Sequence, residues 1–170
     1  MVQESAIINA SNIFIQVHSN IYNLINNRSN VPDPNDSTGN RKFVYTREPL
    51  KLCAGFKGYP FILVPDPEDY NQSNKTADAS KANTFDSITI SIFAKDKNSD
   101  SDGDPVGRET VASITSNVVY TINSNHASLR ENGLKNIEID SSDFDWLDEE
   151  GQAVFRRDLV LKSNQIRRIT

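Results

Sequence analysis

The stretch that most constrains this chain is residues 85–93, where Ile88, Ile90 and Ile92 alternate with Thr89 and Ser91. A period of two places successive side chains on opposite faces of an extended strand, here one dry and one wet. A strand of this kind needs an apolar layer to cover its dry face. The rest of the chain can therefore be read for what supplies that layer.

Two segments have the required periodicity. In residues 5–26, Ile7, Ala10, Phe14, Val17, Ile21 and Leu24 recur at spacings of three and four and form one stripe of an amphipathic helix. Ile8, Ile13 and Ile15 widen that stripe, which implies contact on two sides, with a core and with a neighbouring subunit. The many asparagines lower the intrinsic helix propensity, so packing must hold this helix. In residues 109–130, Val111, Ile114, Val118 and Ile122 form a second stripe, and Gly133 is placed to end the helix.

Shorter β-prone runs lie at 43–46, 50–54, 59–64, 134–139 and 153–161, the last with Phe155, Leu159 and Leu161 on one face. Residues 27–42 contain Pro32, Pro34 and Gly39 among polar residues and read as a loop, as do 66–84 and 96–108. The order predicts an α+β fold: a mixed β-sheet with two amphipathic helices packed on one face, and long loops, with residues 1–170 as a single domain. The strands beginning near Phe85 and Leu134 flank a helix, so they are expected to be parallel neighbours with a right-handed crossover.

Composition narrows the function. The formal net charge of −5 disfavours binding nucleic acid by phosphate neutralisation, so no direct sequence-specific nucleic-acid binding is expected. The basic residues nearest to forming a patch are Arg156, Arg157, Arg167 and Arg168, which crowd toward the C-terminal end of the sequence and are read as an interface with a partner. One cysteine, Cys53, allows no internal disulfide, and two histidines make a histidine-based metal site unattractive. Residues 1–10 lack a basic start followed by an apolar run, so no signal peptide is expected, and no run approaches the roughly 20 apolar residues of a membrane span.

The sharpest local motif is acidic. Asn98, Asp100, Asp102, Gly103 and Glu109 stand at the spacing of a calcium loop, with hard oxygen ligands on alternate residues, a glycine for the turn and a closing carboxylate. Asn98 replaces the usual first aspartate, Pro105 occupies a position normally kept apolar for pairing, and a strand rather than a helix leads in. The plainer reading is a solvated loop with no cofactor, and calcium is the one ion the spacing would take. His18 reads as a surface residue of the first helix and His126 as a cation near the C-terminal end of the second. The acids between Asp140 and Glu150 flank Trp146, which either caps the core or anchors a partner interface.

The second half of the chain resembles the tail-completion and tail-terminator proteins of tailed phages and related viruses. The likeness lies in Ile88-Thr-Ile-Ser-Ile-Phe, the helix with Val111, Ile114, Val118 and Ile122, Leu134-Lys-Asn-Ile-Glu-Ile, the turn at Glu149, Glu150 and Gly151, and Ala153-Val-Phe-Arg-Arg-Asp-Leu-Val-Leu. The first helix and the strand at 59–64 fit the same order, so the resemblance spans about residues 5–161, although the inserts at 27–42 and 66–84 are long for the family. It implies a structural virion protein at the tail or neck, made in the host cytoplasm. Such a protein forms a homo-oligomeric, typically hexameric ring between tail-tube and connector proteins, without catalytic residues or membrane contact. Three alternatives stand beside it: a calcium-dependent binding module built on residues 98–109, a head-completion adaptor or stopper, and a small hydrolase using the acids of residues 140–150.

Overall fold

A computed structural model describes residues 10–36, 38–49, 56–65, 71–74, 81–96, 106–131, 134, 136–142, 145–149 and 152–168. In chain order the elements are α1 (Ala10–Asn26), β1 (Val44–Tyr45), β2 (Phe61–Leu63), β3 (Asn71–Asn74), β4 (Lys81–Lys95), α2 (Val106–Ser124), α3 (His126–Glu131), β5 (Glu138–Ser141), β6 (Asp145–Glu149) and β7 (Gln152–Arg168). The fold is α+β with a mixed sheet: β1 and β2 run parallel and every other pairing is antiparallel.

The sheet is organised by its two long strands. β4 and β7 pair in unbroken register from Lys95–Val154 to Lys81–Arg168. Each carries short strands on its outer edge. β2 and β3 lie on β4, while β6 and β5 follow one another along β7. The isoleucine alternation of β4 specifies this register. Ile88 faces Leu161 and Ile90 faces Leu159, and a slip of one residue would turn the whole row away from the helices.

α2 covers β4 and β7, and α1 packs on α2 and β1. The core joins Val17, Ile21 and Ile25 of α1 and Val111, Ile114, Val118 and Ile122 of α2 to the β4 isoleucines, Leu159 and Leu161. On α1 the buried positions are spaced by four, so Ile25 takes the core site expected of Leu24, which is only partly buried. Residues 5–9 lie outside the described residues.

Several expectations need correction. The strands at β4 and β5 do point the same way, but both pair antiparallel with β7, which lies between them, so they are not neighbours. The C-terminal chain adds a strand that inserts between the two ends of the β4–α2–β5 crossover. The helix expected at 109–130 starts earlier and is broken at Asn125, whose backbone N–H is shared between the Thr121 and Ile122 carbonyls. His126 therefore opens α3 rather than closing α2. The strand expected from Leu134 begins only at Glu138; Leu134 is itself buried, and Asn136 adopts φ 53°, a left-handed conformation that asparagine tolerates better than most residues. The acidic turn around Trp146 is in fact strand β6. The run at 50–54 lies outside the described residues.

The second face of the sheet is not uniformly wet. Ser91 and Phe93 are buried there, and Phe61 stacks on Phe93 at 4.7 Å in a cluster with Tyr45 and Val154. Phe56 packs edge-on and Tyr59 tilted against Phe61, which explains how the second face is sealed at that end.

Residues 27–42 are not the irregular loop their composition suggests. Arg41 binds the fully buried Asp33 carboxylate through Nη1 at 2.9 and 3.1 Å, and its Nη2 donates to the Gly58 and Pro60 carbonyls. Arg28 adds a second cation, 3.6 Å from Asp33, and lies over the Phe43 ring as Arg41 does. The segment is thus fastened to the turn before β2, where the Tyr59–Pro60 peptide is cis and Gly58 has φ +83°.

Candidate functional site

The site that stands out is the far end of the β4–β7 ribbon. Ile88 and Leu161, cross-strand partners, are the last core residues described toward that end. The pairing nevertheless continues for seven more residue pairs, roughly 23 Å of strand, to Lys81 and Arg168. β3 pairs with residues 84–87 and widens the ribbon to three strands there. In the two segments 81–87 and 162–168, only Ala82, Phe85 and Ile166 are apolar. Residues 66–84, expected to be structureless, thus contribute β3 and the start of β4.

The near end of the ribbon is anchored by Asp96. Its backbone N–H donates to the Ala153 carbonyl at 2.9 Å, and its Oδ1 accepts from the Gly107 N–H at 2.6 Å. The side chain therefore satisfies a free donor in the first turn of α2, where a carboxylate also meets the positive end of the helix dipole. A Cβ on Gly107 would lie 2.9 Å from that oxygen and 3.0 Å from Phe155. Sequence reasoning missed Asp96 because its partner is eleven residues away.

A groove of about 700 Å³ lies between α2 and the β5 side of the sheet. Val119 and Tyr120 form one wall and Ile137, Ile139, Leu159 and Arg157 the other. It exists because the helices cover the β1, β4 and β7 region, while no helix among the described residues packs closely on β5. Tyr120 is 72% exposed, the most exposed large apolar side chain described.

The residues singled out from sequence fall in different places. Asn98, Asp100 and Asp102 lie outside the described residues. Glu109 is exposed in the first turn of α2, beside a smaller cavity that Pro32 and Pro34 also line. Among the described residues there is no cluster of His, Cys, Asp and Glu able to hold a metal ion. The four arginines do not crowd together. The extended strand separates Arg157 from Arg167 by roughly 33 Å. Arg156 makes a two-pronged pair with Asp158 at 2.9 and 2.8 Å and lies over the Phe93 ring. Arg157 donates to the Ser142 carbonyl and the Ser141 hydroxyl. Arg167 and Arg168 stand opposite Ala82 and Lys81 at the ribbon tip. Trp146 in β6 pairs with Phe155. His18 is half-buried and stacks on Tyr22, whose phenol is raised above its usual pKa by burial.

No protein-family model matches the chain. No curated protein matches it either. Among solved structures, a chain from the virion of a native gene transfer agent (GTA) particle is 13% identical, with 88% of this chain and 94% of that chain covered and a TM-score of 0.44. A likeness of that size carries no argument about what this chain does. Among the described residues, no helix is long and apolar enough to cross a membrane.

Proposed function

We propose that this chain is a structural protein of a tailed virus particle, a tail-terminator or tail-completion subunit that closes into a ring, six-fold by resemblance, between the tail tube and the head-neck connector. The observation that carries this reading is the β3–β4–β7 ribbon. Its strands are paired well past the last described core residues and its composition offers little apolar surface to bury. Small isolated ribbons are marginal in water, and a polar ribbon of this length is accounted for when another chain completes it. A closed ring also requires a heterologous contact, in which two different patches of each copy meet.

The element order of the resemblance supports the same reading: an N-terminal amphipathic helix, a strand leading into a second helix, and a long closing strand with Arg156 and Arg157 near its start. The role is architectural and involves no turnover.

The test is electron microscopy of particles carrying a tagged copy of the chain. Label confined to the head-proximal end of the tail is the expected result. Label on the capsid shell, or failure of the chain to enter particles, would overturn the assignment.

A further inference from the structure

Two strand edges are unpaired among the described residues, and their sequences are opposite in charge. Along its outer side, β7 is covered by β6 at residues 152–156 and by β5 at 159–162. Among the described residues no strand pairs with that edge from 163 to 168, where the sequence is Ser-Asn-Gln-Ile-Arg-Arg. At the opposite end of the same side, β6 has the sequence Asp-Trp-Leu-Asp-Glu and pairs only with β7 among the described residues, so its outer edge is open too. One edge thus carries Arg167 and Arg168, and the other Asp145, Asp148 and Glu149. Their centres are separated by more than ten residues of β7, roughly 40 Å.

We propose that the open edge of β7 at residues 163–168 of one copy docks on the open edge of β6 at residues 145–149 of a second copy, continuing the sheet from subunit to subunit. The occupant is a second copy because both edges offer backbone donors and acceptors that no strand among the described residues pairs, and their sequences are opposite in charge on the same chain. Two different patches meet in this contact, and it builds a ring when the second patch of each copy is left for a third rather than returned to the first. The inference rests on the ring reading and deepens it by naming the contact.

The experiment is light scattering on the purified full chain, at about 50 mM and about 500 mM salt, with two charge-reversed double variants. These are Arg167→Glu with Arg168→Glu, and Asp148→Lys with Glu149→Lys. Wild-type chain should assemble at low salt and dissociate at high salt. Each variant alone should keep its thermal midpoint and associate at least tenfold more weakly. An equimolar mixture of the two should assemble again, because each supplies the edge that the other lost. Assembly of both variants to the wild-type extent would overturn this contact and leave the ring reading standing. Wild-type chain that stays monomeric at every salt and concentration would overturn this contact, and the ring reading falls with it if the chain also stays monomeric when tail tubes are added.

Discussion

Arg41 holds the carboxylate of Asp33 at 2.9 Å in a place where the Asp33 side chain has no exposed surface. The same guanidinium reaches the Lys57, Gly58 and Pro60 carbonyls, so one planar cation joins the segment after α1 to the turn before β2. The Asn35 backbone N–H donates to Asp33 Oδ1 at 2.9 Å as well, and a buried carboxylate is tolerated only when it is paired and hydrogen-bonded in this way.

Removing either partner takes away the shortest contact of a buried charge: among the described residues, Asp33 keeps only Arg28 at 3.6 Å and the Asn35 N–H, and Arg41 keeps only its backbone carbonyl acceptors. Asp33→Ala or Arg41→Met is expected to destabilise the protein by about 3–5 kcal/mol, read as a lower midpoint in urea unfolding. Arg41→Lys should recover little of this, since a point charge cannot reproduce the forked contacts. An Arg41→Met midpoint equal to wild type would contradict the clamp.

Gly107 is required by space. Gly107→Ala brings a Cβ to 2.9 Å from the Asp96 carboxylate and 3.0 Å from the Phe155 ring, and should cost about 1–3 kcal/mol by thermal unfolding. Gly39 offers a contrast in space, since an added methyl there meets nothing within 4 Å, although its φ of +79° still penalises alanine.

Ile90 is fully buried opposite Leu159, so Ile90→Ala should cost about 2–5 kcal/mol. Tyr120→Ser, at a position 72% exposed, should fall within about 0.5 kcal/mol of wild type in the same assay.

Acid sensitivity has a specific contributor. The Thr38 hydroxyl and the Arg41 backbone N–H both donate to Asp36 and hold its carboxyl down to about 2. A folded pKa below the unfolded one means that the folded state releases this proton more readily. The stabilisation is complete above the ordinary value of 3.8 and is lost as pH falls through about 2. Asp36→Asn should therefore flatten the stability profile between those two values, and an unchanged acid limb would contradict the assignment. At the alkaline end, Asp140 raises the Lys162 pKa, so that pair's contribution is present below 10.5 and fades as pH rises through the raised value.

The parts of the fold that repeat regularly were legible in the sequence. The alternation of Ile88, Ile90 and Ile92 and the α2 stripe from Val111 to Ile122 specify period, face and burial together. What escaped was set by partners distant in sequence. Residues 162–168 and 71–74 have no apolar alternation, so only their pairing with β4 makes them strands. The Asp33–Arg41 clamp looked like loop composition because its order comes from a turn sixteen to nineteen residues further on. The arginines read as one patch because nearness in sequence says little about distance along an extended strand. Glu109, Arg156 and Arg157 can be placed, and both arginines already serve contacts within their own subunit.

The most direct test of the central claim is negative-stain electron microscopy combined with light scattering on concentrated full-length chain, alone and with tail tubes added. Closed rings of uniform diameter, built head to tail, are the predicted result. A monodisperse monomer in both settings would contradict it.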